Sequence, residues 1–276
     1  MFKEIIEFLR ANVFAMPSVD SIVFHSRYIG AYLSSREAGL AVNPLTTELS
    51  DENISYLQDI IGQNAVQAAE VLCASGVPWK FATGIAILNA LSQPYLTFKY
   101  LQGHRFLMLP SDEETLLESI PENSNVLLAG FNHHLRSIAH KAETVNLFQV
   151  GLPLPETVAL SGDNILRGPL CAPVIHGPEA EKRLEKADVV VIDASIMVFG
   201  KLEELLSRIP DKSTTILYGA TAAIFPPSLF RRGIDAVFTW KVTNSYRMMN
   251  LLLNSGAEVE YHLSEAARSV IVKPAQ

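Results

Sequence analysis

The sequence lacks the features that would identify several classes of protein. Its two cysteines, Cys73 and Cys171, build no disulfide framework and no CxxC pair for zinc or redox chemistry. Its 22 Lys and Arg residues are outnumbered by 29 Asp and Glu residues and form no basic run, which argues against nucleic-acid binding. No uncharged segment approaches the ~20 apolar residues of a membrane span. With charges also inside its first apolar segment, the chain is expected in the cytoplasm, without a nucleic-acid or membrane partner.

The clearest positive feature is an alternation of strand and helix patterns from residue 187 to 243. Apolar runs rich in β-branched residues at 187–195, 214–221 and 235–243 predict strands, and short helical patterns separate them. This rhythm predicts a parallel α/β sheet, in which ligands bind beyond the carboxyl ends of the strands. The polar or small residues at those ends are candidate ligand contacts: Asp193, Ser195, Gly219, Thr221 and Lys241.

The first half of the chain has a different pattern. An amphipathic helix at 2–12 precedes three short strands at 21–28, 29–35 and 38–43, which predict a meander, and helical patterns follow to about residue 93. The segment 79–93 is almost wholly apolar yet contains Asn89, whose amide must be satisfied or face a cavity. We place a domain boundary in the loop-like, acidic stretch before residue 123, giving domains 1–122 and 123–276.

The second half opens with a predicted strand at 125–131, a helix at about 133–142 and a strand at 145–151. Residues 152–176 show no sustained period apart from a short strand pattern at 157–162. The patterns at 259–263 and 269–274 predict terminal strands.

The turn after the first of these strands is a candidate anion site. Gly130, Phe131, Asn132 and His133 join the strand to its helix, where free N–H groups and the helix dipole favour negative charge. One glycine does not complete a GxGxxG dinucleotide motif, so NAD binding is disfavoured. Anion or nucleotide contact and a plain tight turn stay open as interpretations.

Each other candidate has a structural alternative. Asp193 is the only acid in an apolar strand; it suits an acid, a base or a hydroxyl acceptor, and equally an Asx turn that caps the next loop. The ammonium of Lys241 can neutralise an anion or extend to solvent. Helical spacing puts His133 and His140 on one face, with His134 about 100° away, which favours a solvated face over a metal site.

Several segments together resemble a bacterial and archaeal family known as domain of unknown function 364, the heavy-metal chelation family. The segments that carry the resemblance are AGLAV (38–42), GIAILNALSQ (84–93), LLAGF (127–131), ADVVVIDASIMVFGKLEELL (187–206) and LYGATAAIFPPSLFRRGIDAVFTWKV (217–242). The chain departs from the family pattern at Phe199, where an asparagine is expected, and at Asn132 to His134, where proline is typical.

The resemblance implies an α/β protein with an enolase N-terminal-like meander-plus-helices domain followed by a Rossmann-like, mostly parallel sheet domain. It also implies an interdomain site to which Asn89 contributes from the first domain, and Gly130, Phe131, Gly219 and Thr221 from the second. The implied role is the handling of a small metal-chelating or pterin-like molecule.

Three functions follow as hypotheses. The first is a protein that binds a small anionic or metal-chelating molecule (siderophore- or pterin-like) in the interdomain cleft, with its chemical transformation there left open and Asp193 as the catalytic candidate. The second is an S-adenosylmethionine- or nucleotide-dependent transferase, and the third a non-catalytic metal-handling accessory protein. The cofactor is unknown, with a divalent transition metal or chelate as the candidate; the expected partner is a small molecule, and a homodimer is a possible assembly.

Overall fold

The computed structural model describes residues 1–13, 15–45, 49–130, 133–152, 157–161, 164–168, 172–256 and 258–275, with backbone only at 113, 157–161 and 164–168. The described helices are α1 (Phe2–Asn12), α2 (Asp51–Ile60), α3 (Ala65–Cys73), α4 (Pro78–Ser92), α5 (Phe98–Gly103), α6 (Glu113–Glu118), α7 (Leu135–Lys141), α8 (Gly177–Leu184), α9 (Leu202–Leu206), α10 (Pro227–Phe230), α11 (Ser245–Asn254) and α12 (Val259–His262). Three short 3₁₀ helices are η1 (Ala194–Phe199), η2 (Ala220–Ala222) and η3 (Leu263–Glu265).

The described strands are β1 (Val19–Phe24), β2 (Tyr28–Leu33), β3 (Ala38–Val42), β4 (Phe106–Pro110), β5 (Asn125–Ala129), β6 (Thr144–Phe148), β7 (Thr157–Ser161), β8 (Asn164–Gly168), β9 (Val174–Ile175), β10 (Val189–Asp193), β11 (Thr214–Tyr218), β12 (Ala236–Val242) and β13 (Ala267–Pro274). Strands β1 to β3 form an antiparallel meander, and β7 pairs with β8 in a separate hairpin.

The described part of the chain also contains an eight-stranded sheet in the order β4-β13-β12-β11-β10-β5-β6-β9. Strands β12, β11, β10, β5, β6 and β9 are parallel to one another, and β13 is antiparallel to both of its neighbours. Successive residues of β10 belong to different apolar cores, because Val190 and Ile192 join one cluster and Val189 and Val191 another. The parallel sheet is therefore buried on both faces, as parallel sheets usually are.

Helix α4 links the small sheet to the large one. Pro78 lies in its first turn, where proline is tolerated, and its residues from Ala82 to Ser92 are all buried. An added Cβ at Gly39 of β3 would lie 2.2 Å from both Ala86 O and Ala90 N. Glycine at this position thus lets the α4 backbone lie directly on β3, which brings the Asn89 amide to Leu40 O of that strand.

The predicted meander, the three strands after residue 187 and the mixed α/β class agree with the structure. The predicted strand at 259–263 is wrong, since Val259–His262 is a helix. Val259 and Leu263 are buried while Tyr261 between them is exposed, which suits one helical face, because one side of a strand would carry all three residues. The boundary at residue 122 stays a prediction; β4, which precedes it, pairs with β13 of the large sheet.

Candidate functional site

The site lies where the strand order of the large sheet reverses. The chain runs from β5 outward through β6 to β9, then returns to β10 on the other side of β5 and continues to β12. In open α/β sheets, such a reversal leaves a crevice beyond the carboxyl ends of the two central strands, and ligands bind there. The residues at those two ends are Gly130 after β5 and Asp193 at the end of β10.

Two glycines allow the loops to approach this crevice closely. Gly130 has φ +96°, and an added Cβ would lie 2.6 Å from the Asp193 Cβ. Gly151, after β6, has φ +70°, and its added Cβ would lie 2.8 Å from Ser195 Oγ. Only glycine adopts such backbone conformations at little cost, and without a Cβ it avoids these two close contacts. The backbone after β5 and β6 therefore lies directly against Asp193 and Ser195.

Asp193 caps the 3₁₀ helix η1 and keeps a buried carboxyl group. Its Oδ1 accepts a hydrogen bond of 2.7 Å from the Ser195 backbone N–H, which is the Asx arrangement that the sequence allowed. Burial raises the pKa of Asp193, and the nearby Ser195 N–H and hydroxyl oppose that rise. Desolvation prevails because it disfavours the charged form more than these dipoles favour it.

Ser195 carries an unsatisfied polar atom. The residue is 2% exposed, and its Oγ lies close enough to the Asp193 carboxylate to lower its pKa but meets no hydrogen-bond geometry with any described atom. A buried polar group without a partner costs ~1–3 kcal/mol, so each one needs a structural or functional explanation. A water or a ligand atom bound in the crevice would satisfy it.

The N-terminal half of the chain packs against the segments beside the crevice. Helix α4 and strand β3 both contact η1 and η2, the segments that follow β10 and β11. The Asn89 Nδ2 donates to Leu40 O, to Ala220 O at 3.4 Å and to Thr221 O at 3.3 Å. The Thr221 Oγ1 accepts from Val42 N at 3.0 Å.

Asn89 and Thr221 are each 0% exposed, so they join the two halves of the chain and line no open cleft. Gly219, with φ +129°, is held by hydrogen bonds to strand β12: its N–H donates to Phe238 O at 2.9 Å, and its carbonyl accepts from Thr239 Oγ1 at 3.1 Å. Sequence reasoning missed Gln93 in the same joint, whose Oε1 accepts from Val242 N at 3.1 Å.

Lys241 lies apart from this group. It is in β12, two strands from β10, and pairs in register with Arg268 of β13. Partial burial lowers its pKa. Phe131 and Asn132, like Cys171, lie outside the described residues.

Two histidines meet one tyrosine at the same sheet edge. Helix α7 begins at Leu135, so His133 and His134 lie in the turn before it rather than on its faces. The Tyr218 hydroxyl, at the end of β11, is 3.1 Å from His133 Nε2 and 3.3 Å from His134 Nε2. Tyr218 pairs in register with Asp193, which places these rings beside the crevice. Sequence reasoning missed this grouping because it depends on where the helix starts.

Two small cavities lie elsewhere. One of about 120 Å³ is lined by residues that include Pro17, Glu37 and Tyr95, and one of about 180 Å³ by residues that include Trp240 and Glu260. Neither includes Asp193 or Ser195, and both are below the roughly 300–1,000 Å³ of typical ligand pockets. The residues at the reversal of the strand order are therefore a better guide to the site than cavity size.

Within the described residues, no three His, Cys, Asp or Glu side chains are grouped to hold a metal ion. No helix in that same part of the chain has the length and apolarity needed to cross a bilayer.

Family comparisons agree with this architecture. The family model DUF364, described as "Putative heavy-metal chelation", matches residues 158–273, and the model DUF4213, with the same description, matches residues 6–92. The chain thus matches a heavy-metal chelation model in each half, DUF4213 in the first and DUF364 in the second.

Solved structures of the family share the fold. A DUF364 protein of unknown function from Desulfitobacterium hafniense DCB-2 has a TM-score of 0.71 and 18% identity, over 99% of this chain and 98% of that one. A DUF364 protein of unknown function from Pyrococcus horikoshii has a TM-score of 0.68 and 16% identity, over 99% of this chain and 100% of that one. At these identities the likeness shows the fold alone. No curated protein matches the chain.

Proposed function

We propose that this protein binds a small anionic or metal-chelating molecule, siderophore- or pterin-like, in the crevice between β5 and β10. The observation that carries the proposal is the buried Ser195 hydroxyl, which has no hydrogen-bond partner among the described residues and lies beside the Asp193 carboxyl group. A ligand hydroxyl or carbonyl would satisfy it. The family description supports a chelating ligand.

Asp193 gives the crevice its chemistry. A carboxyl group with a raised pKa holds a proton closer to neutral pH than a surface aspartate does. It is suited to share a proton with a ligand hydroxyl, either to hold the ligand or to act as a general acid or base on it. The glycines at 130 and 151 let the backbone lie against Asp193 and Ser195, so a ligand in the crevice would also meet main-chain groups there.

We also interpret the large sheet as Rossmann-like and the meander with its helices as enolase N-terminal-like. The strand order on either side of β5 and β10 supports the first interpretation, because it is the order of dinucleotide-binding sheets. A nucleotide- or S-adenosylmethionine-dependent transferase is nevertheless the weaker function. In such sheets an acid about 20 residues past the glycine turn holds the ribose, and residues 148–152 here are Phe-Gln-Val-Gly-Leu.

Thermal unfolding with a panel of catechol, hydroxamate and pterin compounds tests the proposal. A ligand at 100 times its Kd adds about 2.7 kcal/mol to the unfolding free energy, which is a shift of several degrees for a chain of this size. Asp193→Ala and Ser195→Ala should abolish the shift. Asp211→Ala is the matched control, since Asp211 is exposed and precedes the amino end of β11, at the end of the strands opposite the crevice. An undiminished shift in both crevice variants contradicts the proposed site.

A further inference from the structure

We infer that His133, His134 and Tyr218 form a binding site for a divalent first-row transition-metal ion at the mouth of the crevice. The inference goes beyond the proposed function, since it requires no small molecule. It uses residues from two segments, the turn before α7 and the end of β11, that the fold brings to one point.

The distances suit one metal ion. Both Nε2 atoms face the same oxygen, at 3.1 and 3.3 Å. Ligand atoms bound at ~2.0–2.1 Å in a tetrahedral site are about 3.3 Å from one another, so the two measured distances match two edges of such a tetrahedron. Two of the three distances between the donor atoms therefore already suit one common ion.

The rings are arranged around the tyrosine oxygen and not stacked on its ring. The imidazole of His134 is nearly perpendicular to the Tyr218 ring, at 86° with 5.8 Å between centroids, and that of His133 is inclined at 62° with 5.6 Å. The two imidazoles are 3.9 Å apart, centroid to centroid. His133 is exposed, whereas His134 and Tyr218 are half-buried, so an ion can enter from solvent and still lose part of its hydration.

The donor set indicates the kind of metal. Imidazole nitrogens suit zinc, copper, iron and nickel, and Cu²⁺ binds most tightly among the divalent ions of this row. Both imidazoles bind as neutral rings through Nε2, and the Tyr218 hydroxyl gives its proton to solvent to bind as phenolate. Three protein ligands leave at least one position open, as in catalytic zinc sites, where water or a chelating molecule can bind.

Titration of the purified, metal-free chain with Cu²⁺ tests the site, with stoichiometry from calorimetry and the visible spectrum recorded in parallel. We expect one equivalent to bind with a phenolate-to-copper charge-transfer band, and Zn²⁺ to compete for it. Tyr218→Phe should remove the band while keeping the aromatic ring beside Phe238. His133→Asn and His134→Asn should each weaken Cu²⁺ binding by at least about 10-fold. Removal of a residue that only supports a metal ligand already costs about 10-fold or more in affinity, and these two residues are ligands themselves.

His140→Asn is the matched control, because His140 is exposed on α7 and outside the cluster. It should bind Cu²⁺ like the wild type and keep the band. Circular dichroism of each metal-free variant verifies folding. The inference is overturned if the wild type shows no charge-transfer band at one equivalent of Cu²⁺, or if Tyr218→Phe and His140→Asn bind and absorb alike. Because the probe is the metal alone, failure here leaves the proposed function of Asp193 and Ser195 to its own test.

Discussion

Replacement of Gly130 with alanine tests the close packing on which the crevice depends. The residue has φ +96°, and the new Cβ would lie 2.6 Å from the Asp193 Cβ and 3.6 Å from Val150 O. A side chain in this sparsely populated backbone region costs ~1–3 kcal/mol. Overpacking of a buried position costs typically ~1–3 kcal/mol more. We therefore expect Gly130→Ala to lower the unfolding free energy by about 2–6 kcal/mol.

Gly62→Ala separates the two contributions. Gly62 has φ +84°, close to that of Gly130, but an added Cβ there meets nothing within 4 Å. Gly62→Ala should therefore lower the free energy of unfolding only by the backbone cost of ~1–3 kcal/mol. Urea unfolding followed by circular dichroism measures both variants, and an unchanged dependence on urea shows that only stability has changed. Equal losses in the two variants would refute the contact between Gly130 and Asp193.

Two further predictions concern buried polar groups. Because burial raises the pKa of Asp193 above its ordinary 3.8, the folded state holds this proton to higher pH than the unfolded state, and stability falls as pH rises through that interval. Asp193→Asn should therefore raise the melting temperature at neutral pH and give no such gain at a pH well below the ordinary pKa of aspartate. A gain in melting temperature that does not change with pH would contradict this. Asn89→Ala should lower the free energy of unfolding in urea by about 1–3 kcal/mol, since it removes the donor to three buried carbonyls. Ser92→Ala removes a buried hydroxyl without a partner, so it should cost less than Asn89→Ala or stabilise the fold. The reverse order would refute the hydrogen bonds of Asn89 between the two halves of the chain.

The strands of the large sheet were predictable where they are buried on both faces. Runs such as Val189–Asp193 are continuous, β-branched and apolar, which is the pattern of a central parallel strand. Sequence reasoning missed strands β4 and β9, each for a different reason. Phe106–Pro110 is an edge strand with few β-branched residues and a terminal proline, and Val174–Ile175 is only two residues long. Neither has a periodicity that local sequence can show.

The candidate site was predictable only at the strand ends. Asp193 ends β10 and Ser195 follows it, and the sheet topology alone brings them to the crevice. The buried position of Asn89 depends instead on Gly39, which permits a helix and a strand distant in sequence to touch. The pairing of His133 with His134 was missed because the helical spacing assumed a helix from residue 133, and α7 starts two residues later.

The buried polar atoms without partners connect the fold to the proposed function. Among the described residues these atoms are Asn89 Oδ1, Ser92 Oγ, Gln93 Nε2 and Ser195 Oγ. The first three belong to α4 or its C-terminal cap and the fourth to η1, and α4 contacts η1. Each such atom costs ~1–3 kcal/mol when nothing binds it, a cost that bound water or, at Ser195, a polar ligand would remove. Because Asn89 lines no open cleft, a ligand in the crevice should satisfy Ser195 and leave the atoms of α4 unchanged, so the stability it adds should depend on Ser195 and not on Asn89.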